Sequence, residues 1–430
     1  MAEWKPINEL FDYEKGTLQS SKCTPGKYTF ITAAEDWKTH ETFTHDCEAL
    51  IFAMAASGSL GRTHYIKGKF ISSDLCFILT PKKGLRLDLT FYHRLFNFLR
   101  ADIVKRTATG TSKLAINQAN FGAYKLPYFD YDHQLSFRDK IEAIASINLE
   151  FSEGMDYQLL LLAKLHQVVL QEAIEGKLTA GWRKQNPQLI KGENHASNLL
   201  DIIRAEKDRL IHEGKIRKEK PLQPIAAGEI PYFLPEGWIW CRLGEIAQGF
   251  EYGSSAKSKE DGKVPVLRMG NLQNGYIDWD DLVYTNDDAE IEKHLLVFDD
   301  LLFNRTNSRE LVGKTALYES KEKAIYAGYL VRFHMCGGIN PKYSNYVMNS
   351  SLHRNWCDEV KADALGQSNI NATKLRDFRF PLPPLIEQKA IVERVEKLMD
   401  MIDELRKQVT ERNDQSEVLM QSVLQEAFAE

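Results

Sequence analysis

The chain has 430 residues, enough for two or three domains, and its 43% apolar and 27% charged residues describe a globular rather than a disordered protein. No apolar run approaches the ~18 residues that a membrane span needs, and residues 1–10 lack the basic-then-apolar order of a signal peptide. Cys23, Cys47, Cys76, Cys241, Cys336 and Cys357 form no Cys-x-x-Cys, which excludes a zinc ribbon and a redox pair, and unpaired thiols fit a cytoplasmic protein. A net charge of −5 excludes a protein that coats nucleic acid indiscriminately, so any DNA binding must rest on local basic patches.

In chain order, residues 1–130 form a block rich in β-formers, Gly and Asn, with strand-like runs such as Leu50-Ile51-Phe52-Ala53, closed by Pro127. Residues 131–176 read as one helix. Residues 177–236 form a connector with a short helix near Asn198–Glu213, then an extended stretch holding Pro221, Pro224, Pro231 and Pro235. Lysine and arginine nearly balance aspartate and glutamate there, which favours a solvated face over a nucleic-acid patch. Residues 237–384 form a second β-rich block, closed by Pro381, Pro383 and Pro384, and residues 385–430 a second long helix.

The two halves are copies. Asn117 to Pro127 and Asn371 to Pro381 span equal intervals at an offset of 254. Val169-Leu170-Gln171-Glu172-Ala173 matches Val423-Leu424-Gln425-Glu426-Ala427 at the same offset. Each half opens alike: Trp4, Ile7, Glu9 and Leu10 align with Trp240, Leu243, Glu245 and Ile246 at an offset of 236. A shared offset across two matches makes chance a poor explanation.

The second long helix carries Ile391, Val395, Leu398, Ile402, Leu405 and Val409 at 4-3-4-3-4 spacing, the seam of a coiled coil, resuming at Leu419 and Val423. Subtracting the offset gives Phe137, Ile141, Ile144, Asn148, Phe151, Met155, Leu162, Leu165 and Val169 on the first helix. Asn148 is the polar seam residue suited to setting register, and Gly154 a candidate bend. Each helix could pack on its own block. Pairing with each other suits two matching seams better, and an antiparallel pair would give the chain a pseudo-twofold axis.

Motifs that would carry catalysis fail on inspection. Gly313-Lys314-Thr315 resembles the end of a phosphate-binding loop, but Ser308 stands where the first glycine belongs. Asn340-Pro341-Lys342-Tyr343 departs from the Asn-Pro-Pro-Tyr pattern of amino-methyltransferases, and the chain has no Gly-x-Gly to hold S-adenosylmethionine. No catalytic residue and no metal ligand is assigned. What the blocks offer is hydrogen-bonding side chains in glycine-rich turns. The first has Ser57, Ser59, Arg62 and Thr63 in one loop and Thr111, Ser112 and Lys113 in another. The second has Arg268 and Asn271, then Asn304, Arg305, Thr306, Arg309 and Lys314, then Gln367, Ser368, Asn369 and Asn371. Arg reads guanine edges and Asn or Gln adenine edges, while Ser, Thr and Lys suit phosphates. Two rival readings stay open on the residues alone: a self-contained DNA methyltransferase or nuclease, and a coiled-coil scaffold whose β-rich blocks bind protein or carbohydrate.

Leu234-Pro235-Glu236-Gly237-Trp238, Leu243-Gly244-Glu245-Ile246 and Pro381-Leu382-Pro383-Pro384-Leu385-Ile386-Glu387-Gln388-Lys389-Ala390-Ile391-Val392 strongly resemble the specificity subunit of type I restriction–modification systems. The resemblance spans the chain, although in the first copy Pro127-Tyr128-Phe129-Asp130 keeps only the first proline. It implies an α+β fold: two target-recognition domains separated by a long antiparallel two-helix coiled coil. It also implies two different DNA half-sites about one helical turn apart, roughly 34 Å or a small multiple. The spacer helices would dock two modification subunits, which bring S-adenosylmethionine and flip and methylate adenine. A motor/nuclease subunit would bring ATP and magnesium. None of that chemistry would reside in this chain.

Overall fold

The computed structural model describes residues 3–56, 58–110, 114–364 and 366–429. It divides into two compact units, residues 1–157 with 409–430, and residues 158–408.

The first unit is built on a six-stranded sheet in the order Phe11–Lys15, Cys76–Pro81, His45–Ala53, Thr63–Ser72, Tyr28–Ile31, Lys38–His40. All pairings are antiparallel except Tyr28–Ile31 with Thr63–Ser72. Ala49 to Ala53 are wholly buried on both faces, as a continuous apolar run in a central strand must be. Helix Leu89–Phe98 covers one face; Asp88 caps it by accepting from the Phe91 N–H at 2.7 Å, and Phe91, Tyr92, Leu95 and Phe96 turn inward. Phe52, Phe77, Phe96 and Phe121 meet there in one aromatic cluster.

The second block, in the other unit, has a different interior. One antiparallel sheet runs Ala247–Tyr252, Leu330–Met335, Asp300–Asn304, Thr315–Tyr318. Another runs Val283–Thr285, Val264–Leu267, Ile325–Tyr326, the last pair parallel.

The repeat survives in how each block is closed. Strand Glu3–Pro6 pairs with Lys125–Tyr128 so that Trp4 faces Pro127, and Ile239–Arg242 pairs with Arg379–Leu382 so that Trp240 faces Pro381. The Ile7 N–H donates to the Tyr124 carbonyl and the Leu243 N–H to the Phe378 carbonyl, both at 2.9 Å. Asn117 and Asn371 each cap a short helix with the side-chain oxygen. Gln134 and Gln388, 254 residues apart, are wholly buried and bonded alike. Gln134 accepts from the Asp88 N–H at 2.8 Å and donates to the Phe129 carbonyl at 2.7 Å; Gln388 accepts from the Asn340 N–H at 2.7 Å and donates to the Pro383 carbonyl at 3.1 Å. The first copy has thus lost the later prolines of the motif but kept the first, Pro127, and the glutamine that ties block to helix.

The long helices run Tyr131–Ile174 and Leu385–Ala429. The first continues through Gly154 without a break. In the first unit Ser416 donates to the Asn148 side chain at 2.9 Å. In the second unit His166 lies in the electrostatic field of Asp403 and Arg406. Residue numbers rise along one helix as they fall along the other, so the pair is antiparallel.

The seam differs from the expected one at alternate positions. Ile141, Met155, Leu162, Val169, Ile391, Val395, Ile402 and Val409 are buried. Between them the half-buried or buried residues are Ala145, Ser152, Leu159 and His166, and Met399, Arg406, Asn413 and Met420. Ile144 and Leu398 are only half-buried, whereas Phe151, Leu165, Leu405 and Leu419 are exposed at 39, 44, 46 and 64%. An apolar helix face is wider than a two-residue seam. The position three or four residues on can fill the second place, and the partner helix takes the fourth. Val423 lies on the helix, but its side chain is outside the described residues.

Candidate nucleic-acid interface

In the first unit the segments that flank the two polar loops come together. Ala55 bridges Ala115, and the Ile116 N–H donates to the Met54 carbonyl at 2.8 Å. This sets residues 58–63 beside the paired strands Ala108–Thr109 and Ala115–Ile116. Gly61, at φ +79°, sits where an added Cβ would lie 2.7 Å from Val104, so the turn requires glycine. Arg100 pins the loop by donating to the carbonyls of Gly58 at 2.9 Å and Leu60 at 2.8 Å. Ser59 and Arg62 are half-buried at the rim, and Arg62 pairs with Glu35 at 3.6 Å. Thr63 is buried; its N–H donates to Asn97 at 3.0 Å and its hydroxyl to the Gly61 carbonyl, so it serves the fold rather than a ligand. His64 receives the Trp37 indole N–H at 3.4 Å, and burial pushes its pKa down, keeping it neutral near the loop. Ser57, Thr111, Ser112 and Lys113 lie outside the described residues.

In the second unit a three-stranded sheet, Thr306–Asn307 with Gln367–Asn369 with Ala362–Ala364, gathers segments far apart in sequence. Gly366, at φ +82°, closes its hairpin. Asn369 donates to the Thr306 hydroxyl at 2.7 Å. Arg305 lies over the Tyr252 ring at 4.6 Å, and the Tyr252 hydroxyl accepts from the Ala372 N–H at 3.2 Å. Gln367 and Arg309 are exposed. Together Arg305, Thr306, Gln367, Asn369 and Tyr252 present donors, acceptors and an aromatic face on one patch. Tyr252, with 43% exposure, was missed from sequence; an aromatic residue in a Gly-flanked polar stretch, Gly249 to Gly253, was the available signal.

Other residues singled out by type have internal duties. Asn271 is buried and satisfied, accepting from the Arg268 N–H at 2.8 Å and donating to the carbonyls of Asp278 and Asp280. Ser368 is buried and donates to Asp363. Asn304 is wholly buried, and its amide meets no partner among the described residues. Asn371 spends its side-chain oxygen capping the helix Ala372–Arg376. Arg268 is held by Asp281 at 3.0 Å and Lys314 by Gln273 at 2.9 Å.

The characteristic Glu-Gln of the second copy is architectural. Glu387, with no exposed surface, accepts from Arg183 at 2.5 Å, the Thr179 hydroxyl at 2.7 Å and the Trp238 indole at 2.8 Å. It locks connector, second block and second helix together. Among the described residues no group of three or more His, Cys, Asp or Glu side chains could hold a metal ion. Nor is any helix long and apolar enough to cross a membrane.

The sequence profile described as the type I restriction modification DNA specificity domain matches residues 1–134 and 235–412. The chain belongs to this family. It is 30% identical over 251 residues to the type I restriction enzyme EcoEI specificity subunit of Escherichia coli, covering 56% of this chain and 41% of that one. It is 33% identical over 253 residues to the EcoAI specificity subunit of the same species, covering 56% and 40%. The matched stretch therefore spans about two fifths of the length of these curated relatives. A solved structure concerned with complex assembly and conformational transition of the type I R-M system shares the fold, with a TM-score of 0.61 at 14% identity, covering 99% of this chain and 97% of that one.

Proposed function

We propose that this chain is the sequence-reading subunit of a type I restriction–modification complex and recognises a split, asymmetric DNA target. The observation that carries the reading is the pairing of identical closures with different interiors. Both blocks end in the same two-strand tie, capping asparagine and buried glutamine, yet one is built on a six-stranded sheet and the other on several smaller sheets. Equal mountings with unequal readers suit two different half-sites at a fixed gap. The rim around Ser59 and Arg62 would meet one half-site; Arg305, Thr306, Gln367 and Asn369 would meet the other, with Arg and the amides on base edges and the hydroxyls on phosphates.

The antiparallel helices set the gap. Their exposed apolar residues, Phe151, Leu165, Leu405 and Leu419 among them, are docking surface for two modification subunits. Those subunits would supply S-adenosylmethionine and adenine methylation, and an added motor/nuclease subunit ATP-driven cleavage. The test is co-expression with a modification subunit, followed by sequencing for modified adenines. A split asymmetric motif with one fixed gap, lost when this chain is deleted, is expected. A complex that forms but leaves no such motif would overturn the reading.

A further inference from the structure

The connector's charges balance in sequence but separate in space. Helix Ala196–His212 and the extended chain after it form one wall of an open cleft of about 1220 Å³; the other wall is the start of the second block, Gly244 to Tyr252, with Lys293 and Arg376. Eight Lys or Arg and four Asp or Glu line it. Three of those carboxylates are already occupied: Glu245 by Arg204 at 2.6 Å, Glu219 by Arg376 at 2.8 Å and Glu251 by Arg332 at 2.6 Å. Lys207 is turned into the wall, donating to the carbonyls of Gly244 and Ala247 at 2.6 and 2.8 Å. Among the described residues, Arg217, Lys218 and Lys220 on one side and Lys293 on the other are exposed and have no carboxylate partner, and only Asp208 opposes them unpaired. Tyr252, the residue whose ring carries Arg305, also lines the cleft.

We propose that this cleft holds the sugar–phosphate backbone flanking the half-site read by the second block. The inference rests on the DNA-reading function proposed above and extends the footprint beyond the recognition loops into the connector. An acidic protein that binds DNA must collect its cations locally. Unpaired Lys and Arg on open walls suit phosphates, which position a duplex without selecting its sequence. Continuity with the Tyr252–Arg305 patch supplies the occupant: a duplex held by that patch continues along the cleft.

The experiment measures affinity of the complex with its modification subunit for target and scrambled duplexes across a salt series. It compares wild type with Arg217→Ala/Lys218→Ala/Lys220→Ala and with Lys293→Ala. Each lost phosphate contact should lower the slope of log affinity against log salt by about 0.9, hence about 2.7 for the triple variant. Both duplexes should weaken in parallel, and the methylated motif should stay the same. An unchanged slope in variants that still bind DNA overturns the proposal. So does loss of the modification subunit at unchanged slope, which would assign the cleft to a protein partner, or a changed motif. A wild-type complex that does not bind DNA brings down the parent reading, a result visible before any variant is made.

Discussion

Replacing Glu387 by Ala tests the keystone of the second unit. The carboxylate is wholly buried and accepts three hydrogen bonds, from Arg183, Thr179 and Trp238. Without it the Arg183 guanidinium, whose side chain is only 14% exposed, keeps just the Gly176 carbonyl at 2.6 Å and the Thr179 hydroxyl at 3.0 Å. Breaking a buried ion pair from one side costs about 3–5 kcal/mol, because the surviving charge stays desolvated. The orphaned donors are part of that figure and are not added to it. For a unit covering residues 158–408, a melting temperature moves ~2–4 °C per kcal/mol, so Glu387→Ala should melt roughly 6–20 °C lower. Urea unfolding followed by tryptophan fluorescence measures the loss, with Trp238 as an internal reporter. Pairing Glu387→Met with Arg183→Met should recover most of it, since the uncompensated charge goes too. A loss below about 1 kcal/mol in the single variant would refute the argument.

Gln134→Ala and Gln388→Ala should each cost about 1–3 kcal/mol in unfolding titrations, because each orphans a backbone N–H, that of Asp88 buried and that of Asn340 half-buried; a neutral Gln134→Ala would show that the two ties are not equivalent. Leu165→Asp with Val168→Asp should leave the melting curve unchanged and abolish co-purification with the modification subunit, whereas Ile402→Asp, at 3% exposure, should unfold the helix pair itself. Arg305→Ala should relax one half of the methylated motif, by ~1–3 kcal/mol of discrimination, and leave the other half and the gap intact; changes in both halves would count against separate readers. His353, enclosed by Phe303, Trp356 and Phe378, has its pKa pushed down to about 3 by burial. It stays neutral in the fold while the unfolded chain takes up a proton below about pH 6.5. Stability should therefore fall as pH drops from about 6.5 towards 3, by up to about 1.4 kcal/mol per unit from this group. His353→Gln should flatten that dependence, and an unchanged slope would exclude His353 as its source.

The duplication, the long helices and the closing prolines were legible because each is a property of spacing along one chain. An offset of 254 recurs whatever the fold, and a 3.6-residue period without Gly or Pro is a helix before it packs on anything. Tertiary structure decided which flank of the apolar stripe is covered. Phe151 stands exposed beside half-buried Ser152, and Leu405 beside half-buried Arg406, because the partner helix selects the facing residue and periodicity does not. It also decided which polar residues reach the surface. Thr63, Asn271 and Ser368 are hydrogen-bonding side chains like Thr306 and Gln367, but the fold's own groups claim them first, since a buried polar atom is costly to leave outside the fold's own hydrogen bonds. Composition likewise counts charges without placing them. Two of the cleft's carboxylates, Glu245 and Glu219, are drawn to Arg204 and Arg376, leaving Arg217, Lys218 and Lys220 unpaired on the cleft wall. Sequence determines what can form locally; long-range contacts determine which of two chemically equal residues is consumed by the fold and which is left to act.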